Sequence, residues 1–171
     1  NVIFEALETF LPIATRPKAD PLVEADGTEA GNALADHVRK LLINISDLQS
    51  HNLKMKMVMR HWALYLLGCL KVGWSMEDND ISEQVIRPQK LILDGEATIE
   101  DGVYTGYYIG EKVQDIASNL VERFPNKAEF ITDKVKGKMG TTVEYIQWWT
   151  NDYLFFTLGN EVLDKTKNPH W

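Results

Sequence analysis

Residues 52–94 read NLKMKMVMRHWALYLLGCLKVGWSMEDNDISEQVIRPQKLILD, and the change of period along this stretch decides the fold. Met55, Met59, Trp62, Leu66 and Cys69 recur at alternating steps of four and three, one continuous helical stripe. Leu53, Met57 and Leu64 add a second apolar face, so a helix over about 52–68 is expected to lie inside a domain. Leu53-Lys-Met-Lys-Met-Val-Met59 also alternates with period two, as a strand would. Leu, Met, Lys and Arg are good helix formers, however, and the apolar run exceeds strand length, so helix is the reading. After Gly68 the period becomes two. Leu70, Val72, Trp74 and Met76 alternate with Lys71, Gly73 and Ser75, a half-buried strand over about 70–76. Glu77-Asp-Asn-Asp80 then turns the chain into a returning strand, 81–86, which Pro88 either ends or confines to an edge. Leu91-Ile-Leu93 resumes extended structure, and Asp94-Gly95 turns it again.

Toward the N-terminus, Val2 to Leu11 is a short apolar helix candidate, and Pro12, Pro17 and Pro21 are expected to keep the next segment extended. Residues 1–27 therefore read as an arm that lies across another surface. Asp26-Gly27 is a turn and Thr28 an N-cap for a helix over about 28–48. Its seam is Leu34, Val38, Leu41, Ile45 and Leu48, close to heptad spacing, and a break at 49–52 suggests an antiparallel hairpin with the central helix.

Toward the C-terminus, residues 95–102 are a polar acidic loop and 103–109 a Tyr-rich strand. Val113, Ile116, Ala117, Leu120, Val121 and Phe124 then repeat at three and four, which predicts an amphipathic helix over about 112–124, stopped by Pro125. Asn126 with Glu129 resembles a capping box opening a helix over about 126–135. Strands are expected at about 142–150, 153–158 and 161–164, joined by Asn151-Asp152 and Gly159-Asn160, the strongest short-range hairpin signals in the chain. The expected class is α+β: an N-terminal arm and helical hairpin packed on mostly antiparallel strands, with an inserted amphipathic helix pair. Residues 28–171 are expected to form a single domain.

At 171 residues the chain is long enough for one sizeable core. The single cysteine, Cys69, excludes an internal disulfide and reads as a small core hydrophobe in a reducing compartment. The run Trp62 to Leu70 is too short to span a bilayer, and no signal peptide is evident. The start at Asn1 and the end at Trp171 suggest a piece of a larger polypeptide. The net charge of −7 argues against a protein that coats nucleic acid. Most of it is local: between Glu77 and Asp101 eight acidic residues face only Arg87 and Lys90.

Those carboxylates are the first candidate chemistry. Asp78, Asp80, Asp94 and Glu96 offer oxygen ligands for Ca²⁺ or Mg²⁺ and, in an alternative reading of function, for a metal-dependent hydrolase. An EF-hand loop counted from Asp78 fails, because its sixth and twelfth positions are Glu83 and Gln89. The four histidines, His37, His51, His61 and His170, form no HxxxH or HExxH pair, and no GxSxG occurs. Lys134-Val-Lys-Gly-Lys-Met-Gly-Thr141 lacks P-loop spacing; its three lysines read as an exposed connector or a contact for a nucleic-acid backbone. No catalytic site and no cofactor are expected. Trp148, Trp149, Tyr153, Phe155 and Phe156 crowd one hairpin, and adjacent tryptophans in a strand point to opposite faces. A single-strand-binding platform built on Trp148 and Trp149 would want basic neighbours, yet Glu144, Asp152 and Glu161 stand close in sequence. Burial against helices on one side and a neighbouring subunit on the other is the preferred reading.

Together these segments resemble the N-terminal half of portal proteins of tailed bacteriophages. The pieces that carry the likeness are Phe4-Glu-Ala-Leu-Glu-Thr-Phe-Leu-Pro12 with Arg16-Pro17, and Met59-Arg-His-Trp-Ala-Leu-Tyr-Leu-Leu-Gly-Cys-Leu-Lys-Val-Gly-Trp74. Arg87-Pro88 with Leu91-Ile-Leu-Asp94 and the acidic loop comes next, then Tyr145-Ile-Gln-Trp-Trp-Thr-Asn-Asp-Tyr153 through Lys167-Asn-Pro-His-Trp171. The family pattern has Pro after Asp94 where this chain has Gly95. The resemblance implies a non-enzymatic subunit of a homo-oligomeric ring, a dodecamer in the full-length protein, at the capsid vertex of the virion. Its implied partners are capsid, terminase and tail-adaptor proteins, with double-stranded DNA passing through parts beyond Trp171, no membrane, and assembly in the host cytoplasm. This chain would be the peripheral wing. Phe4, Leu7, Phe10, Trp148, Trp149 and Phe155 are the candidate interface residues.

Overall fold

The computed structural model describes residues 2–14, 21–75, 78–101 and 103–169. The chain divides into two compact units, Asn1–Pro88 and Gln89–Trp171, where one domain over 28–171 is expected from the sequence. Its class is α+β, and every strand pairing among the described residues is antiparallel.

The first unit holds helices α1 (Val2–Ala14), α2 (Glu29–Leu48) and α3 (His51–Tyr65) and the hairpin β1 (Cys69–Ser75) with β2 (Asp80–Ile86). Pro12 lies inside α1, not at the start of an extended segment as expected. In the last turn of α1 the proline forgoes the N–H that would otherwise reach the Glu8 carbonyl. Pro17 falls outside the described residues. Within the first unit α1 packs on α3: Leu11 is buried, and Arg60 donates to the Glu8 carboxylate. Thr28 caps α2, its Oγ1 accepting from Gly31 N at 3.0 Å, and Asp26 in turn accepts from both Thr28 N and Thr28 Oγ1. These bonds, the hydroxyl's first, hold the exposed Asp26 carboxyl below its ordinary value. Thr28→Ala is expected to cost about 1 kcal/mol, read as a lower urea midpoint at unchanged slope.

The two-residue linkage between α2 and α3 is fixed to the hairpin. Ser50 adopts the left-handed region (φ 51°), Gln49 Nε2 donates to Ile81 O at 2.7 Å, and His51 Nδ1 lies 3.0 Å from both carboxylate oxygens of Glu83. α3 ends earlier than expected, at Leu66, which is left-handed (φ 56°) and returns its N–H to Trp62 O. Cys69 therefore opens β1 and does not continue the helical stripe. The register runs from Cys69 opposite Ile86 to Ser75 opposite Asp80; Met76 and Glu77 of the turn lie outside the described residues.

One expectation fails here. α3 buries no residue: Leu53 is 62% exposed, and Met57, Trp62 and Leu64 are each about half exposed. A helix apolar on most sides needs cover on most sides, and the contacts that α1, α2 and one two-stranded hairpin make with it leave much of it open.

The second unit follows a 3-10 turn (Pro88–Lys90). It holds β3 (Leu91–Leu93), a small hairpin of β4 (Ile99–Glu100) and β5 (Val103–Tyr104), and β6 (Tyr108–Ile116). Helices α4 (Ala117–Arg123) and α5 (Ala128–Lys134) come next, then β7 (Thr142–Thr150), β8 (Tyr153–Leu158) and β9 (Glu161–Lys167). The sheet order is β3-β6-β7-β8-β9. The acidic loop is thus partly a hairpin, and the expected strand at 103–109 is broken at 105–107. There Tyr104 folds over Gly106, where a Cβ would meet the phenol oxygen at 2.3 Å. That oxygen accepts from Asp94 N and donates to Tyr108 O, both at 2.9 Å.

The helix expected at 112–124 begins only at Ala117, because residues 112–116 pair with β7, from Lys112 opposite Ile146 to Ile116 opposite Thr142. Val113 at the strand's end and Ala117, Leu120 and Phe124 on the helix meet the same core, so a stripe that reads as one helix is built from two elements. Ile116, at the junction, is 43% exposed. The Asn126–Glu129 capping box does not form. Pro125 opens a 3-10 turn (Pro125–Lys127) that delivers the chain into α5 already turned, with Lys127 at the N-cap and no side-chain cap. β7 and β8 span the expected 142–150 and 153–158, while β9 runs three residues beyond the expected 161–164. α4 and α5 cover one face of the sheet, closing a core of Leu120, Phe124, Ile131, Tyr145, Phe156 and Leu158. Among the described residues no helix is long and apolar enough to cross a membrane.

Candidate interaction surface

β7 alternates between two environments. Val143 and Tyr145 point under the helices, so Trp148, an odd number of residues away, points to the opposite face of the sheet. There the register lines up one residue from each strand: Ile92, Gly110, Trp148, Phe155 and Lys165. Trp148 and Phe155 stack with ring centroids 6.1 Å apart and planes 18° from parallel, and Tyr108 meets the indole edge-on at 5.7 Å. The indole nitrogen donates to Thr157 Oγ1 at 3.0 Å. Gly110 makes room for this arrangement, since a Cβ there would lie 2.8 Å from the indole ring. Lys165 Nζ sits 3.6 Å from the centre of the Tyr153 ring, a cation–π contact at the β9 side of the face. By register Lys112, Lys165 and Lys167 share this face with Glu144, so its charge is basic in an acidic chain.

Of the aromatic candidates, then, Trp148 and Phe155 are brought together. Trp149 is on the helix-bearing face, opposite Ile109 and Leu154. The two tryptophans do not form one platform. In the first unit Leu7 is half-buried and Phe10 is 42% exposed, while the Phe4 side chain lies outside the described residues.

A second apolar surface is on α2. Leu34, Leu41 and Leu48, seven residues apart, are 66%, 55% and 67% exposed, and the helix buries no residue. In the sequence these leucines, with Val38 and Ile45, read as a seam, the heptad spacing being the signal; α2 does contact α3, yet the three leucines stay more than half exposed. Tyr108 and Gly110 are the residues of the aromatic row not anticipated. A glycine inside a strand pattern does signal close approach of another group, here an indole.

The acidic candidates fasten turns. Asp78 accepts from Ser75 Oγ at 2.9 Å, Asp80 from Ile81 N at 2.7 Å, and Asp94 from Glu96 N at 3.1 Å and Tyr107 N at 3.0 Å. Glu96 is exposed, and Asp78 and Asp80 belong to the first unit while Asp94 and Glu96 belong to the second. Among the described residues no group of three or more His, Cys, Asp or Glu side chains gathers as metal ligands would. Compared with known protein families and with curated proteins, the chain matches no family model and no curated sequence.

Proposed function

We propose that this chain is the peripheral wing of a portal-ring subunit, a structural component of the capsid vertex through which a tailed bacteriophage packages and ejects its DNA. The choice of that assembly rests on the sequence resemblance of its segments to portal proteins. The observation that supports an assembly role is the row Leu34, Leu41 and Leu48, each more than half exposed on a helix with no buried residue. Apolar side chains exposed in a row along one helix, with the half-buried Val38 and Ile45 between them, are surface that association would cover. Covering a leucine contributes about 1.5–3 kcal/mol when burial is complete, so a row of them offsets much of the entropic cost of docking. In this reading the partners are further copies of the subunit, then capsid, terminase and tail-adaptor proteins, and the DNA runs through other parts of the subunit.

Electron microscopy of the full-length gene product is the test. Closed rings of one subunit number are expected, and replacing Leu34, Leu41 and Leu48 by glutamate is expected to abolish them while α2 still forms. Monomers at every concentration, in the unsubstituted protein, would overturn the reading. The hydrolase alternative draws no support from Asp78, Asp80 and Asp94, whose oxygens are engaged in turns.

A further inference from the structure

Lys134, Lys136 and Lys138 stand within five residues of one another, and all three are exposed. They line one open groove together with Thr141, Thr142 and Gly159. In a chain whose acids outnumber its bases 25 to 18, isolated basic clusters find partners easily. Lys127, one helix away, is held by Glu161 at 2.6 Å, and Lys40 by Asp36 at 2.6 Å. These three lysines are not held. None makes an ion pair among the described residues, although Asp133 is adjacent in sequence and Glu144 lines the same groove.

The backbone that carries them is stiff. Lys136 and Gly137 are left-handed (φ 51° and 74°), and the N–H groups of residues 135–139 all bond to carbonyls within the same turn. The turn is also anchored to the start of α4, through Ala117 N to Thr141 O and Ser118 N to Met139 O. With those amides occupied, the groups left to meet a ligand are three ammonium ends and the Thr141 and Thr142 hydroxyls. Donors of that kind suit phosphate oxygens and carry no base-reading geometry.

We propose that the groove of the 134–138 turn is a docking point for the phosphate backbone of nucleic acid, sequence-independent and electrostatic. It goes beyond the assembly reading and does not depend on it, because all its residues belong to one unit of one chain. The acidic remainder of the protein keeps the contact weak and local. Three phosphate contacts on duplex DNA give a slope of log K against log salt of about −2.7, or about forty-fold weaker binding between about 50 and 200 mM salt.

Fluorescence anisotropy of a labelled duplex of arbitrary sequence, titrated with the 171-residue chain across that salt range, tests the proposal. The unsubstituted chain should show the slope, Lys134→Ala/Lys136→Ala/Lys138→Ala should lose it, and the triple arginine variant should keep it. Lys40→Ala, removing a lysine of the other unit, should leave it unchanged. Circular dichroism melting of the alanine variant serves as the folding control, since these side chains are exposed. Absence of binding by the unsubstituted chain at about 50 mM salt, or an alanine variant that is folded and binds equally well, overturns the proposal. Competition by polyglutamate as effective as by unlabelled duplex would assign the groove to an acidic protein segment and overturn it as well.

Discussion

Tyr145→Ala is expected to destabilise the sheet unit by about 3–5 kcal/mol. Tyr145 is 2% exposed and stands among the rings of Phe124 and Phe156, with centroids 6.4 and 6.3 Å away. Its oxygen accepts from Arg123 Nη1 at 2.9 Å, and the same guanidinium lies over the Phe124, Tyr145 and Phe156 rings. Truncation removes the ring, leaves a cavity and strips the arginine of its acceptor. Tyr145→Phe removes only the acceptor and should cost about 1 kcal/mol. Urea unfolding of the two variants separates ring from hydroxyl, and equal losses would refute the packing account. Burial, more than any charge, holds the Tyr145 phenol above its ordinary value of 10.0, with Arg123 opposing. A raised folded value means that the unfolded chain ionises first. The unit's stability should therefore be complete below about pH 10 and fall as pH rises beyond it, and Tyr145→Phe should remove that part of the fall.

Gly68→Ala is expected to disrupt the passage from α3 into β1 and to cost about 1–3 kcal/mol. A Cβ on Gly68 would lie 2.6 Å from the Val58 carbonyl oxygen and 2.8 Å from Val58 Cγ1. The nearer obstacle is helix backbone, which cannot swing aside. Gly73, five residues later in β1, has nothing within 4 Å of the same position. Gly73→Ala should be neutral or slightly stabilising, because alanine gives up less freedom in a strand than glycine. Hydrogen exchange checks the pair: protection should drop across β1 and β2 in the first variant, hold in the second, and stay unchanged in β7 and β8 in both. Full protection of β1 in Gly68→Ala would show that the close approach carries no energetic weight.

Where the chain's own chemistry is local, the sequence was sufficient. Asn151-Asp152 and Gly159-Asn160 can hardly sit anywhere but in tight turns, and β7 and β8 therefore fall at their expected residues. Thr28 caps the helix that its position announces. Where a decision belonged to distant partners, the sequence was silent or misleading. Residues 112–116 are compatible with helix or strand, and pairing with β7, thirty residues away in sequence, decided for strand. The Asn126–Glu129 pattern is a valid cap in isolation, displaced by the turn that Pro125 imposes one residue earlier. The hardest quantity to read was burial. Periodicity says which side chains of α2 and α3 share a stripe, but not whether anything covers it, and Leu34, Leu41, Leu48 and Leu53 remain open. The same limit applies to the surface itself: Trp148 and Phe155 could be paired only once the strand register was known.

The borders of the five-stranded sheet limit how another strand can join it. One border is β3, three residues long, and the other is β9, which carries Asp164, Lys165 and Lys167 and slips register at a bulge opposite Phe156 and Thr157. A further strand arriving at either would find few unpaired amides on one side, and charge with irregular spacing on the other. Ladder-type growth, which has no natural end, is thereby discouraged at the sheet's own margins. In the proposed ring, copies would then meet away from these two margins, where a fixed angle between neighbours can return to its starting point and stop.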